Sequence, residues 1–253
     1  MEFKFEKPVE INYYASDNRM NMSFSALMAF FQDIAIDHSD SAGYTVERLL
    51  DEGLGWIITN YHIIIERMPK YGEKVVFKTW SSGIKHFQAE RSYSVTDSNG
   101  NEIVKAASMW VLIDLEKRTP VSIPDEMNKA YKTGTAPAIE NERFRITKKR
   151  GEPVSVFETK ITRSQTDTNG HTNNTQYVSW AMDMICDEIY NNYNCVDFKV
   201  TFRKESRKDE EIIIKTYKTK TYKTKTDEGL EFETDITDKE ENILCSAVSV
   251  WKE

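Results

Sequence analysis

The chain has 253 residues, 39% of them hydrophobic and 11% aromatic, which suffices for one large domain or two ordinary ones with a sizeable core. Its net charge of −7 argues against a general nucleic-acid binder but leaves room for a local basic patch. No apolar run approaches the roughly 18 residues of a membrane span, and the N-terminus lacks the apolar stretch of a signal peptide. The three cysteines have no metal-ligand spacing. We therefore expect a cytoplasmic protein with reduced thiols, no metal or cofactor, and no nucleic-acid or membrane partner.

In the first half of the chain, one long helix is predicted, followed by several strands. Apolar residues recur at helical spacing, which is typical of a helix with one buried face. They are Phe24, Leu27, Met28, Phe31, Ile34 and Ala35. The segments after them are rich in β-branched and aromatic residues, which favours strands. The predicted strands are Trp56–Arg67, Val75–Trp80, Phe87–Thr96 and Ile103–Asp114.

The second half shows the same order of predicted elements. A helical apolar pattern comes first, on Tyr177, Trp180, Ala181, Met184, Ile185 and Ile189. Strand signals follow at Val196–Arg203, Ile212–Thr224, Leu230–Thr237 and Ile243–Trp251. In the first of these strands, apolar and polar residues alternate, so one face is expected to be buried.

The two halves also resemble each other in sequence. The stretch from Glu73 to Trp80 matches the stretch from Glu210 to Tyr217, 137 positions later. Such a period indicates duplication of a whole domain. We predict an α+β fold in which each repeat is an antiparallel sheet wrapped on a long central helix, that is, a tandem hotdog fold. The predicted boundaries are an N-terminal repeat over residues 1–130, a linker over 131–153 and a C-terminal repeat over 154–253.

The most distinctive polar stretch, residues 167–174, precedes the second predicted helix. Residues two apart in an extended segment point the same way, so Asp167, Asn169 and His171 are expected to share one side. Asn173 or Thr172 can cap the helix, whose exposed N–H groups favour developing negative charge. An acid, an amide and an imidazole beside a helix start suit chemistry at a carbonyl group. The alternative interpretation of residues 167–174 is a polar turn with a helix cap and no catalytic role.

Motifs in both halves resemble the acyl-ACP thioesterases of the plant and bacterial fatty-acid type. In the second half, the resemblance lies in residues 167–174, in the adjoining Tyr177–Trp180 and in the segment Phe202–Ser206. In the first half they are shorter stretches, such as Leu27–Asp33, Arg67–Glu73 and Ile123–Glu126. Together these motifs are spread over nearly all of the chain.

The resemblance implies hydrolysis of fatty acyl-ACP, with Asp167, Asn169, His171 and Glu205 as the catalytic residues. Periodicity does not support Glu205 independently, because alternation counted from Phe202 places Lys204 and Ser206 on the buried face. Ser206 stands where the family often has cysteine, which favours direct attack by water over a covalent thiol mechanism.

The resemblance also implies roles for the first repeat and for a carrier protein. The first repeat has Met68 and Pro69 where the second has Glu205 and Ser206, so it is expected to bind the acyl chain rather than to react. The candidate chain-binding residues are Leu27, Met28 and Phe31. Acyl carrier protein, which is acidic and holds the acyl chain on phosphopantetheine, is the expected partner. Candidate docking residues are Arg203, Lys204, Arg207 and Lys208.

Two other functions are compatible with the same residues. An acyl-CoA thioesterase on the same fold would have the same groups at the scissile bond, whereas a non-catalytic acyl-binding module would not need them. The sequence leaves open the acyl chain length, a homodimeric state, and whether Asp167 or Glu205 activates water.

Overall fold

The structure is a computed structural model that describes residues 3–142, 144, 151–223 and 228–253. The chain divides into two compact units, Met1–Glu142 and Arg143–Glu253. In the part of the chain that the structure describes, none of the helices has both the length and the hydropathy of a membrane-spanning segment.

The first unit is an antiparallel sheet with one long helix packed against it. Its strands are β1 (Phe5–Glu10), β2 (Leu54–Ile65), β3 (Lys74–Lys85), β4 (Gln88–Thr96), β5 (Glu102–Asp114) and the short β6 (Thr119–Pro120). Its helices are α1 (Phe24–Ser41), α2 (Val46–Asp51) and α3 (Asp125–Ala130). The strand order is β1-β3-β4-β5-β2, with β6 paired to β5.

Helix α1 begins where its sequence supplies a cap and is buried along its predicted apolar face. The Ser23 side chain accepts a hydrogen bond from the Ala26 N–H at 3.2 Å, which satisfies one of the unpaired donors of the first turn. Phe31 is fully buried, and its ring centroid lies 4.6 Å from that of Tyr93 on β4. The helix therefore fixes the core of this unit through aromatic packing.

Part of the segment that we predicted as a linker, residues 131–142, lies in the first unit. Trp80 Nε1 donates to the Ala136 carbonyl at 2.9 Å, and the Ala138 N–H donates to Ser92 Oγ at 3.1 Å. Hydrogen bonds to β3 and β4 therefore hold this stretch against the sheet.

The second unit repeats the plan with a shorter principal helix. Its strands are β7 (Ser155–Lys160), β8 (Asn194–Phe202), β9 (Glu211–Lys223), β10 (Glu228–Asp238) and β11 (Ile243–Lys252), in the order β8-β11-β10-β9-β7. Its helices are α4 (Asn174–Asp183) and α5 (Asp187–Asn192). The predicted α+β architecture of two hotdog repeats is thus confirmed.

The apolar pattern that predicted one helix through Ile189 spans two helices instead. Helix α4 ends at Asp183, and Cys186 has the extended backbone of an N-cap, with φ −64° and ψ 150°. Asp187 and Glu188 then occupy the first turn of α5, where acidic side chains stabilise a helix start. The local capping sequence therefore overrides the long apolar period.

A buried histidine contacts a buried arginine in the core of the first unit. His38 is 1% exposed, and its Nδ1 accepts a hydrogen bond from Arg91 Nη1 at 2.8 Å, since a guanidinium can only donate. Burial, and then the charges of Arg91 and Lys132, lower the pKa of His38 from 6.5 to about 3. The imidazole is therefore neutral in the folded protein at neutral pH.

We expect this histidine to make the first unit sensitive to acid. The folded pKa lies below the unfolded one, so the unfolded chain binds more protons between about pH 3 and pH 6.5. The contribution of His38 to the free energy of unfolding is fully present above pH 6.5. It falls as the pH falls, and at pH 5 the free energy of unfolding is lower by roughly 2 kcal/mol. Denaturant midpoints measured from pH 7.5 to pH 4.5 should fall more steeply for the wild type than for His38→Gln, which keeps an acceptor for Arg91. The exposed His86 changed to Asn is the control, and equal slopes for all three proteins would contradict the prediction.

Candidate active site

A tight turn headed by Asp167 precedes α4. One carboxylate oxygen of Asp167, Oδ1, accepts backbone N–H groups from Asn169 at 2.8 Å and from His171 at 3.1 Å. The Asp167 N–H donates to the His171 carbonyl at 2.8 Å, and Gly170 has the left-handed φ of +75° that the turn needs. The turn therefore fixes the backbone of Asn169 and His171.

The turn brings His171 against Glu205 and Arg207. His171 Nε2 lies 3.2 Å from Glu205 Oε2 and 3.2 Å from Arg207 Nη2, and the backbones of His171 and Arg207 form an isolated antiparallel bridge. A carboxylate only accepts and a guanidinium only donates. Nε2 therefore donates to Glu205 when it carries a proton and accepts from Arg207 when it does not. The imidazole is mostly covered, with 17% of its side chain exposed, whereas Glu205 is 39% exposed.

Glu205 reaches this position because β8 has ended before it. The strand stops at Phe202, so the alternation that placed Glu205 on the far face no longer applies. Ser206 is nevertheless buried and Lys204 is exposed. The Thr172 N–H donates to the Ser206 carbonyl at 2.8 Å and ties this segment to the start of α4.

The Ser206 hydroxyl belongs to a buried chain of three hydroxyl groups. Ser206 is fully buried, and its Oγ lies 2.6 Å from the Tyr177 hydroxyl and 2.8 Å from Thr172 Oγ1. Burial raises the pKa of Tyr177 to about 12. This arrangement suits a structural link between α4 and the segment after β8. It does not suit a nucleophile, which would need access to substrate.

Sequence reasoning missed this hydroxyl chain and the place of Arg207 beside His171. A signal for the chain was present, because alternation placed Ser206 on a buried face and a buried hydroxyl needs a partner. The partners come from 29 and 34 residues away, which no local pattern reveals.

The remaining polar residues of the motif divide between a cap and an exposed turn. Asn173 is the N-cap of α4, with its Oδ1 accepting from the Thr175 N–H at 3.0 Å. Thr172, the alternative cap, contacts Ser206 instead. Asn169 is exposed in the turn, five residues before α4 begins.

The candidate docking residues are exposed, and some of them have acidic partners. Lys204 Nζ lies 3.0 Å from Asp238 Oδ2, and Lys208 Nζ lies 2.6 Å from Asp209 Oδ2. The Asn242 side-chain amide and then Lys204 lower the pKa of Asp238 to about 2. The positive charge near Glu205 is therefore partly offset by neighbouring carboxylates.

The candidate chain-binding residues lie in the first unit, on the covered face of α1. Leu27, Met28 and Phe31 are each 0% exposed. At the position that corresponds to Ser206, the Pro69 carbonyl accepts the Met22 N–H at 2.7 Å. The first unit thus keeps the backbone connection, with Asn21 and Met68 in the places of His171 and Glu205.

Two of the three cysteines are buried. Cys195 and Cys245 are buried, and burial raises the pKa of both thiols well above the usual range, with Asp197 and Asp235 adding to the effect. Cys186 is exposed at the start of α5. Within the described ranges, no group of three or more His, Cys, Asp or Glu side chains could hold a metal ion.

Comparison with known proteins identifies relatives of both units. The family model of the acyl-ACP thioesterase N-terminal domain matches residues 2–131, and that of the C-terminal domain matches residues 148–253. The acyl-[acyl-carrier-protein] hydrolase FATB3 of Cuphea viscosissima is 26% identical over 222 residues, which cover 81% of this chain and 52% of that protein. The dodecanoyl-[acyl-carrier-protein] hydrolase of Umbellularia californica is 24% identical over 218 residues, covering 81% and 57%. Both are named chloroplastic, and the chain spans about half the length of these curated relatives.

Solved structures show the same fold. An acyl-ACP thioesterase from Bacteroides thetaiotaomicron has a TM-score of 0.85 at 20% identity, covering 98% of both chains. The 12:0-ACP thioesterase of Umbellularia californica has a TM-score of 0.83 at 21% identity, covering 98% of this chain and 97% of its own. Since the two family models together match nearly the whole sequence, unit by unit, the chain belongs to the acyl-ACP thioesterase family.

Proposed function

We propose that this protein hydrolyses the thioester of fatty acyl groups carried on acyl carrier protein and releases free fatty acid and the carrier. The observation that carries the proposal is the contact of His171 Nε2 with Glu205 Oε2 at 3.2 Å, in the unit matched by the family's C-terminal domain. We also propose a cytoplasmic location, which fractionation of the source cells would test.

The proposed reaction is a direct attack by water. Glu205 accepts a proton from water as the water oxygen bonds to the thioester carbon, and the carbonyl oxygen becomes an oxyanion. N–H groups at the start of α4 favour that negative charge. Once Glu205 has taken up the proton from water, the Nε2–H of His171 donates to the oxyanion instead of to Glu205. The C–S bond then breaks, and the proton held by Glu205 goes to the leaving thiolate. Because a thiolate leaves readily, no covalent intermediate is needed.

Asn169 and the buried Ser206 have different proposed roles in this scheme. Asn169 is exposed in the turn that carries His171, and its amide would orient the bound carbonyl. Ser206 holds the segment that carries Glu205 through its bonds to Thr172 and Tyr177.

We expect the purified protein to release fatty acid from acyl-ACP in the presence of a chelator. Glu205→Gln and His171→Ala should each lower kcat by on the order of 10² or more, because they remove an acid–base or oxyanion group. Ser206→Ala is the matched control and should cost far less than the roughly 10⁶-fold loss of an essential nucleophile. The measurement is fatty acid formed per enzyme per second.

Four outcomes would contradict this scheme. An acyl-enzyme trapped on Ser206 would replace direct attack by a covalent mechanism, and loss of turnover with chelator would require a metal. Tight retention of the acyl ligand without turnover would favour the non-catalytic binding module. Faster hydrolysis of the same acyl group on CoA would favour the acyl-CoA thioesterase.

We propose that the first unit binds the acyl chain through α1, on the covered face that carries Leu27, Met28 and Phe31. Trimming a large side chain there should admit longer chains at about 0.8 kcal/mol per added methylene. Met28→Ala and Phe31→Ala should therefore shift the distribution of released chain lengths, measured by mass spectrometry of the fatty acids. Ile36→Ala is the control on the same helix, because Ile36 is 41% exposed. Equal loss for all chain lengths would contradict this role.

We propose that the carrier docks on the basic residues around Glu205, namely Arg203, Lys204, Arg207 and Lys208. Arg203→Glu and Lys208→Glu should raise KM for acyl-ACP without changing hydrolysis of the same acyl group on N-acetylcysteamine, and added salt should reduce the effect. Lys218→Glu is the matched charge reversal on β9, outside this set, and should leave both substrates unaffected. If the three variants behave alike, the docking assignment is wrong.

A further inference from the structure

We infer that Asp167 is a positioning residue, which holds the backbone that presents His171, and is neither the general base nor a nucleophile. This inference deepens the proposed function and rests on it, and it assigns the activation of water to Glu205 alone.

The hydrogen bonds of Asp167 point to this role. Its Oδ1 is occupied by the Asn169 and His171 N–H groups, at 2.8 Å and 3.1 Å. The acid within contact distance of the imidazole is instead Glu205, 3.2 Å from Nε2. Asp167 therefore acts on the backbone of His171, and Glu205 acts on its ring.

The first unit contains the same turn without the chemistry. Asp17 Oδ1 accepts the N–H groups of Arg19 at 2.9 Å and Asn21 at 3.0 Å, and the Asp17 N–H donates to the Asn21 carbonyl at 2.7 Å. Met20 takes the left-handed position of Gly170, with φ +60°. The first unit therefore keeps the aspartate, although Asn21 stands in place of His171 and Met68 in place of Glu205. The hydrogen bonds of this aspartate to the backbone thus do not depend on catalysis.

Each turn also forms the same two isolated backbone bridges, one across its own base and one to a neighbouring segment. Thr166 bridges to Thr172 in the second unit, and Ser16 bridges to Met22 in the first. His171 bridges to Arg207, and Asn21 bridges to Lys70. His171, whose N–H is held by the Asp167 carboxylate, is thus the residue that joins the turn to the segment after β8. Loosening the carboxylate would move His171 relative to Glu205.

The distinguishing experiment compares two substitutions of Asp167. Asparagine keeps an oxygen that accepts the two N–H groups but cannot act as a base or nucleophile, whereas alanine removes the acceptor. Asp167→Asn should lower kcat by no more than about threefold and leave the acid limb of the kcat/KM pH profile in place. Asp167→Ala should lower kcat by about 10- to 10²-fold, since small displacements of reacting groups have such effects. Glu205→Gln provides the reference for loss of the base.

Variants of Asp17 separate positioning from folding. Asp17→Ala removes the same acceptor in the first unit, so it should shift the denaturant midpoint as Asp167→Ala does while leaving kcat unchanged. Amide hydrogen exchange at Asn169 and His171 should stay slow in Asp167→Asn and accelerate in Asp167→Ala.

The inference is overturned if Asp167→Asn is as slow as Glu205→Gln, if it loses the acid limb, or if its two amides exchange as fast as in Asp167→Ala. If the wild type hydrolyses no thioester, the proposed function fails, and the amide exchange rates alone decide whether Asp167 holds the turn.

Discussion

The candidate site depends on one backbone connection, the hydrogen bond from the Thr172 N–H to the Ser206 carbonyl. It joins two segments that lie 34 residues apart, the turn that enters α4 and the stretch that leaves β8. This bond sets the distance between His171 and Glu205, because His171 directly precedes Thr172 and Glu205 directly precedes Ser206. The bond is buried together with the hydroxyl chain around Ser206, so water does not compete with it.

The same connection in the first unit shows what duplication preserved. Met22 and Pro69 make it there, and neither of these two residues carries a hydroxyl group. The backbone frame is therefore independent of the side chains mounted on it. The same frame holds His171 and Glu205 in one unit and Asn21 and Met68 in the other.

Most of the fold was predictable because its signals are local. The apolar spacing of α1 and the alternation along β8 placed those elements correctly, since each pattern reports one buried face. The break between α4 and α5 was missed, because Met184 and Ile185 continue the apolar period while Cys186 starts a new helix. In the site, the resemblance singled out Glu205 although alternation placed it on the wrong face. Only the position where β8 ends explains its contact with His171, and strand ends are set by tertiary pairing rather than by local sequence.

The exposure of the cysteines has a practical consequence for work in solution. Cys195 and Cys245 are enclosed, and their raised pKa values keep them protonated, so thiol reagents will react slowly with both. Cys186 is the accessible member of the three, and it precedes α5 with its side chain making no capping bond. The natural chain therefore offers one position for a fluorophore or spin label. Distances from α5 can be measured without first replacing any residue.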